Sequence, residues 1–303
     1  MIRMWPVSAD DEGGRIDAVL ASLSGLSRAT CAGLIDEQRV QLNSKVVAKS
    51  ARVQFGDVIE VDLPDPELHD VEPTVELPIT YEDSDLVVVD KPAGVAAHSS
   101  PGWSGPTVIG SLAAMGHVLT SYGPAERAGI VHRLDVGTSG LMVVAKSERA
   151  YVSLKDQFRN RTVKKIYHTL VQGRLDPPSG TIDAPIDRHP NSSYRFAVLE
   201  SGRPSITHYD TLDAFAYASL LEVHLETGRT HQIRVHMSAM RHPCCGDLTY
   251  GADPKLAAKL RLDRQWLHAV SLGFEHPGTL EMVEFSSPYA ADLQMALEKV
   301  ADL

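Results

Sequence analysis

The stretch Gly129-Ile-Val-His-Arg-Leu-Asp135-Val-Gly-Thr-Ser-Gly140, running on into Leu-Met-Val-Val-Ala-Lys146, decides how this chain is read. Apolar residues lead in and apolar residues lead out, with His132, Arg133 and Asp135 between them. The pattern predicts an apolar strand that delivers these side chains into a turn, and a second strand that leaves it. Gly137 and Gly140 permit tight backbone there. An Asp carried between two buried strands rests on a rigid scaffold, which suits catalysis. The plainer reading is an Asp that only closes a turn. If the segment is extended, Arg133 and Asp135 point to one face and His132 points away, toward a structural role.

On either side the chain alternates irregularly between strand and helix patterns. Leu86–Asp90 reads as a buried strand ending at Lys91-Pro92. Ser147 is placed to cap a helix whose Tyr151, Leu154 and Phe158 share a face. Strands follow at Ile166–Val171, Ile206–Leu212 and Leu220–Glu226. Thr230 is placed to cap a helix to about Met240, and Ser287-Pro288 to open a last helix with Leu293, Leu297 and Val300 on one side. Strands broken by helices without regular alternation imply an α+β domain over residues 79–303, with a mixed, largely antiparallel sheet and flanking helices.

Residues 1–14 read as a polar tail. From residue 15 to 63 the pattern is that of a small α/β module. Ile16, Val19, Leu20 and Leu23 recur at helical spacing, and Ser27 is placed to cap a second helix from Arg28 to about Glu37. Asn43-Ser44-Lys45 makes a hairpin turn, and Gly56-Asp57 precedes the strand Val58–Leu63. Residues 64–78 carry Pro64, Pro66, Pro73 and Pro78 among acidic groups, which predicts a semi-rigid spacer rather than a packed element.

Net charge is −10 over 303 residues, a balance that by itself does not favour a nucleic-acid partner. The segment from Asp62 to Asp90 holds ten acidic residues and no Lys or Arg, so the remainder is balanced at 29 against 29. A neutral body can carry a local basic face. Arg28, Arg39, Lys45, Lys49 and Arg52 in the N-terminal module, and Arg159, Arg161, Lys164 and Lys165 further on, are the candidate phosphate contacts. The three cysteines form no Cys-x-x-Cys pair. With no bilayer-length apolar run and no signal-peptide pattern at the N-terminus, a reducing cytoplasm is the expected compartment. Histidine is abundant at 13, but no metal is expected. There is no His-Glu-x-x-His pattern, and His231 and His236 diverge on a helix. Thr138-Ser139 does not form a nucleophile elbow, which argues against a serine hydrolase.

The segment His132-Arg-Leu-Asp-Val-Gly-Thr-Ser-Gly140 resembles the signature loop of the RluA-type pseudouridine synthases. Asp90-Lys-Pro-Ala-Gly with His98 resembles that family's opening strand and turn. Lys165-Ile-Tyr167 resembles its tyrosine strand, and Glu226-Thr-Gly-Arg-Thr-His-Gln-Ile-Arg-Val-His236 its arginine motif. Leu267-His-Ala and His276-Pro277 resemble its C-terminal strands. Residues 15–63 resemble the S4-like RNA-binding module that many members carry in front. Ala128-Gly-Ile-Val-His-Arg-Leu-Asp and Pro185-Ile-Asp-Arg-His-Pro190 are most similar to the RluD-like branch, which acts on large-subunit ribosomal RNA. Cys244-Cys245 and Ala97-His-Ser-Ser-Pro101 depart from the family pattern, where substrate contacts vary.

The resemblance implies the pseudouridine synthase fold and isomerisation of uridine in structured RNA, without cofactor. Asp135 is then the catalytic carboxylate, either attacking the ribose or removing a ribose proton. Arg234 is its expected partner, with Arg229 second. Tyr167 offers a flat face to the extruded base, and its hydroxyl is a candidate for moving the C5 proton. Arg133 enters the space the base vacates, and His132 and His231 complete the substrate set. The expected partner is RNA, as ribosomal RNA or a precursor particle, with no membrane, no obligate protein partner and a monomeric chain. Three alternatives stay open: the same chemistry on tRNA, a non-catalytic RNA-binding or ribosome-assembly factor, and a nucleoside or glycan hydrolase, which usually needs two carboxylates.

Overall fold

A computed structural model describes residues 2–24, 28–62, 73–100, 102–192 and 194–303. The chain divides into two compact units, Met1–Val71 and Glu72–Leu303.

In the first unit, strand β1 (Ile2–Pro6) precedes helices α1 (Ile16–Ser24) and α2 (Arg28–Asp36), followed by β2 (Val40–Leu42), β3 (Lys45–Val46) and β4 (Val58–Asp62). The strands form one sheet in the order β1-β4-β2-β3. The sequence reading of residues 1–14 as a tail is corrected here. Ile2 to Pro6 pair antiparallel with Asp62 to Val58, and Val7 is buried. The short, mixed Met4-Trp-Pro pattern hid a strand whose partner lies far along the chain. Asn43 and Ser44 both take positive φ, as a two-residue hairpin turn requires. Ile16, Val19 and Leu20 meet Leu34, Ile35, Ile59 and Val61 in a core of this unit's own. The expected cap Ser27 and residues 64–72 of the expected spacer lie outside the described residues. At the end of the expected spacer Leu77 is buried in the second unit's core with Val75 against it, because their alternation puts both on one face, while Glu76 and Pro78 stay exposed.

The second unit begins with β5 (Ile79–Glu82) and β6 (Leu86–Lys91). It continues through α3 (Val108–Ala114), β7 (Ser139–Ala145), α4 (Glu148–Asn160), β8 (Lys164–Gln172), β9 (Ser179–Asp183), β10 (Ile186–Arg188), β11 (Phe196–Val198), β12 (Ile206–Ala214) and β13 (Ala218–Leu225). It ends with α5 (Gln232–Ala239), α6 (Pro254–Leu260), β14 (Leu267–Glu275), β15 (Met282–Ser286) and α7 (Ala291–Ala301). The large sheet runs β5-β6-β7-β14-β8-β13-β12-β9, with β15 added beside β14, and every pairing is antiparallel except β7 with β14. This is the expected α+β class.

The run Leu141 to Ala145 is buried throughout because β7 is covered on both faces. Met142 and Val144 join the core beneath the candidate site, while Leu141, Val143 and Ala145 pack under α4. The same alternation splits β8: Tyr167 and Val171 face Ile233 and Met237 of α5, and Leu170 faces Leu293 and Val300 of α7. Gly140 explains how β7 and β14 come so close. It has φ +110, and a Cβ there would lie 2.3 Å from the Ala269 carbonyl oxygen.

Ser147 caps α4 by accepting from the Ala150 N–H, as expected. Two other expected caps differ. The N-cap of α5 is His231 in left-handed conformation; Thr230 is not the cap, and the buried Gln232 side chain accepts from the Arg229 N–H instead. The last helix begins at Ala291. Ser287 is drawn away from capping because its hydroxyl donates to Asp90 at 2.7 Å.

Candidate active site

The strand expected to deliver Asp135 is absent among the described residues. Ile130 makes one bridge to Val144, and residues 131–135 join no ladder before the turn at Val136-Gly137. The loop is held by side chains instead. Lys91 is fully buried, and its ammonium donates to the carbonyls of Pro92 and Val95, both at 2.9 Å, and of Val136 at 3.4 Å. Burial pulls its pKa down to about 7, against the opposing charge of Asp135. Arg264 donates to the Gly137 carbonyl at 3.0 Å while gripping Asp292 with two nitrogens. Gln265 donates to Thr138. The loop is thus rigid without being part of the sheet.

Leu134 packs into the core, and Arg133 and Asp135 line the cavity. His132 borders the same cavity, but its ring is anchored by contacts of its own. Its ring stacks on Phe158 with centroids 4.5 Å apart, and Nε2 accepts from the Val143 N–H at 3.0 Å. That bond requires a neutral ring, and burial holds its pKa down at about 3. His268, between the hydroxyls of Ser139 and Ser287, is lowered to about 4 for the same reason. Unfolding frees both rings to take protons near 6.5. Their contribution is therefore full above pH 6.5 and declines as pH falls, by up to ~1.4 kcal/mol per pH unit for each. The protein is expected to melt markedly lower at pH 5 than at pH 7. A His132→Asn/His268→Asn variant, less stable overall, should lose less over that interval; parallel pH curves would refute this cause.

Asp135 sits on the wall of a cavity of about 440 Å³ that also exposes Arg133, Arg159, Arg161, Lys165, Tyr167, Arg229, His231 and Arg234. Arg234, from α5, donates Nη1 to Asp135 Oδ2 at 3.3 Å. On its other side it grips Asp247, Nε to Oδ2 at 2.7 Å and Nη2 to Oδ1 at 3.0 Å. Burial works against the guanidinium charge, but the two carboxylates outweigh it and push its pKa up. His231 brings Nε2 to 3.9 Å from Asp135 Oδ2. Arg229 does not reach Asp135; its Nε donates to the Pro204 carbonyl.

Tyr167 is buried between Val223 and Ala269 on neighbouring strands. Burial, and then the charge of Asp135, push its phenol well above the ordinary tyrosine value. Such a group holds its proton near neutrality, so its hydroxyl is poorly suited to act as a base, whereas its ring remains a flat face.

The cavity cations are held loosely. Arg159 pairs with Asp156 and Arg161 reaches Glu226 at 3.8 Å, both largely exposed. Lys165 lies two residues from Tyr167 on the same strand face, so Lys164 points to the other side and does not line the cavity. In the first unit Arg28 pairs with Asp17, Arg39 with Asp62 and Lys49 with Asp36, while Arg52 donates to the Gly13 carbonyl; Lys45 stands exposed on its hairpin. The exposed pairs of Arg39 and Lys49 are worth little and leave those cations free to meet phosphate, whereas Arg28 is tied to the buried Asp17.

Sequence reasoning missed Lys91 as a loop anchor, and it missed Asp247 and Tyr250 outright. Tyr250 places its ring under the Arg234 guanidinium at 4.9 Å and its hydroxyl 2.8 Å from His231 Nδ1. The only signal was nearness to Cys244-Cys245. Those two thiols are fully buried, and desolvation raises both, Cys244 to about 12, so this departure from the family pattern belongs to the core rather than to substrate contact.

Residues 85–239 match the family model described as RNA pseudouridylate synthase, and residues 14–59 match the S4 domain. An uncharacterized RNA pseudouridine synthase of Mycobacterium bovis is 59% identical over 98% of this chain and 97% of its own length. Ribosomal large subunit pseudouridine synthase D of Nitrosomonas europaea is 40% identical over 96% of this chain and 86% of its own. The solved structure of human RNA pseudouridylate synthase domain containing 1 superposes with a TM-score of 0.60 at 29% identity, covering 78% of this chain and 90% of that one. The family match ends on the last residue of α5, the helix that carries Arg234, and the curated relatives align over nearly the whole length: the chain belongs to the RNA pseudouridylate synthase family.

Proposed function

We propose that this pseudouridine synthase acts on large-subunit ribosomal RNA and that Asp135 is its catalytic carboxylate. The observation that carries the assignment of Asp135 is its pairing. It is a mostly buried carboxylate that faces an open cavity, and its neighbour is a guanidinium whose Nε and Nη2 are held by Asp247 while Nη1 is turned to Asp135.

Pseudouridylation breaks the bond from ribose C1′ to uracil N1, turns the base and rejoins it through C5. Atoms balance without an external reactant. An ionised carboxylate can start this by attacking C1′ or by removing the 2′ proton. In both routes Arg234 keeps its charge against the same oxygen, and the ring of Tyr167 supports the uracil once it has left its stack. Arg133, two residues before Asp135 on the cavity side, is placed to fill the gap in the stack. Arg159, Arg161, Lys165 and Arg229 line the cavity as phosphate contacts, which orient RNA without reading its sequence. The N-terminal module, through Lys45, the weakly paired Arg39 and Lys49, and the outward-facing Arg28 and Arg52, adds further grip.

The ribosomal target rests on the relatives named ribosomal large subunit pseudouridine synthase D, from Nitrosomonas europaea and Vibrio parahaemolyticus. The test is to incubate the purified protein with large-subunit ribosomal RNA and, separately, with tRNA, and to map pseudouridine in each. Conversion of a few defined uridines in the ribosomal RNA, at unchanged mass and with tRNA untouched, is the expected result. Conversion confined to tRNA overturns the target, and release of free uracil overturns the chemistry.

A further inference from the structure

We infer that Tyr250 is a positioning residue for this reaction: its hydroxyl fixes the tautomer of His231, so that the protonated Nε2 faces Asp135. The inference rests on the reading of Asp135 as the catalytic carboxylate.

The argument starts from the hydrogen bonds around one phenol. The Tyr250 oxygen accepts from the Phe196 N–H at 3.0 Å, and that N–H can only donate. The same oxygen lies 2.8 Å from His231 Nδ1. A phenol has one proton to give. If Nδ1 carried a proton, the oxygen would accept twice, and its own proton would need a third partner that none of the described contacts supplies. If Nδ1 is bare, the Tyr250 proton has its acceptor and every group is satisfied. The ring of Tyr250 is buried, so an unmet hydroxyl is costly and the second arrangement wins. Burial also raises the Tyr250 phenol, so the proton stays on its oxygen.

Fixing Nδ1 as an acceptor leaves the proton of a neutral imidazole on Nε2, the nitrogen 3.9 Å from Asp135 Oδ2. His231 is held neutral mainly by burial. Asp135 therefore meets one full charge, from Arg234, and one neutral N–H dipole. A second full cation would bind the carboxylate more tightly and reduce its reactivity toward ribose. The left-handed backbone of His231, φ 57 at the head of α5, aims the ring between its two partners. Phe196 reinforces this, packing edge-on against the imidazole at 5.6 Å. The hydrogen-bonded line thus runs from the backbone of β11, through Tyr250 and His231, toward Asp135.

The test uses histidine labelled with ¹⁵N in the full-length protein, with His231 assigned by comparison with His231→Gln. In wild type, His231 is expected to show a pyrrole-like Nε2 and a pyridine-like Nδ1. Tyr250→Phe keeps the ring under Arg234 and removes only the hydroxyl, so it should mix the two tautomers. It should also lower the single-turnover rate at saturating RNA by about tenfold, with RNA affinity unchanged. Nδ1, having lost its donor, becomes more basic, so the acid limb of the rate profile should move to higher pH. A proton on Nδ1 in the wild-type protein overturns the inference, as does a Tyr250→Phe enzyme with wild-type rate and pH profile. Asp135→Asn, run alongside, separates the two readings: its inactivity with a fully active Tyr250→Phe rejects the role of Tyr250 alone, whereas an active Asp135→Asn rejects the assignment of the carboxylate.

Discussion

Asp135→Asn is expected to lower the single-turnover rate of uridine isomerisation by a factor of about 10⁴ or more, with RNA affinity and thermal stability close to wild type. The amide has nearly the shape of the carboxylate, so the cavity keeps its volume. Its oxygen still accepts from Arg234 Nη1, and the stronger bonds from Arg234 to Asp247 are untouched. An amide, however, neither attacks C1′ nor takes a proton from C2′ at neutral pH. The loss should therefore fall on the chemical step alone, which single-turnover kinetics on saturating RNA isolates from binding. Residual turnover within tenfold of wild type would sink the assignment, whatever the RNA target proves to be.

The readable part of this site was the part whose side chains are neighbours in sequence. Asp135, Arg133 and His132 sit in one segment, and the two-residue period separated cavity-facing Arg133 and Asp135 from core-facing Leu134. Tyr167 came from the family resemblance, and Lys165 was named together with Lys164, which the period along β8 turns to the other side. The hairpin at Asn43-Ser44 and the cap at Ser147 were legible because their chemistry is local. What escaped was non-local. Lys91 acts on the carbonyl of Val136, 45 residues away, and nothing in Asp90-Lys91-Pro92 announces which carbonyls the ammonium meets. Ser287 has the sequence of a cap, but Asp90, nearly two hundred residues earlier, accepts its hydrogen bond. β1 was missed because its partner β4 follows two helices and a hairpin. The polar support of the site, Asp247 and Tyr250, lies in a segment between α5 and α6 whose periodicity is that of no regular element. Only the folded backbone brings it beneath Arg234.

That support can be divided into a structural and a chemical part by one double substitution. Asp247 is 2% exposed and bonded to Arg234 through both oxygens. Arg234→Met leaves it as a buried, unpaired carboxylate, and the variant is expected to lose about 3–5 kcal/mol of unfolding free energy. Adding Asp247→Leu removes the stranded charge. Methionine is flexible enough to lie on the Tyr250 ring that now sits under the guanidinium, and leucine, branched at Cγ like the carboxylate though larger, replaces it with an apolar group. Most of the lost stability should return, because replacing a whole buried ion pair with apolar groups is far less costly than breaking it. Activity should not return. Asp135 would lose its paired guanidinium in either variant, so both should run about 10²–10³-fold below wild type at saturating RNA, the usual cost of removing a fixed charge from a reacting centre. Denaturant unfolding and single-turnover kinetics on the three proteins measure the two effects separately. If the double variant regains both stability and rate, Arg234 only holds the fold around Asp135, and its charge takes no part in the chemistry.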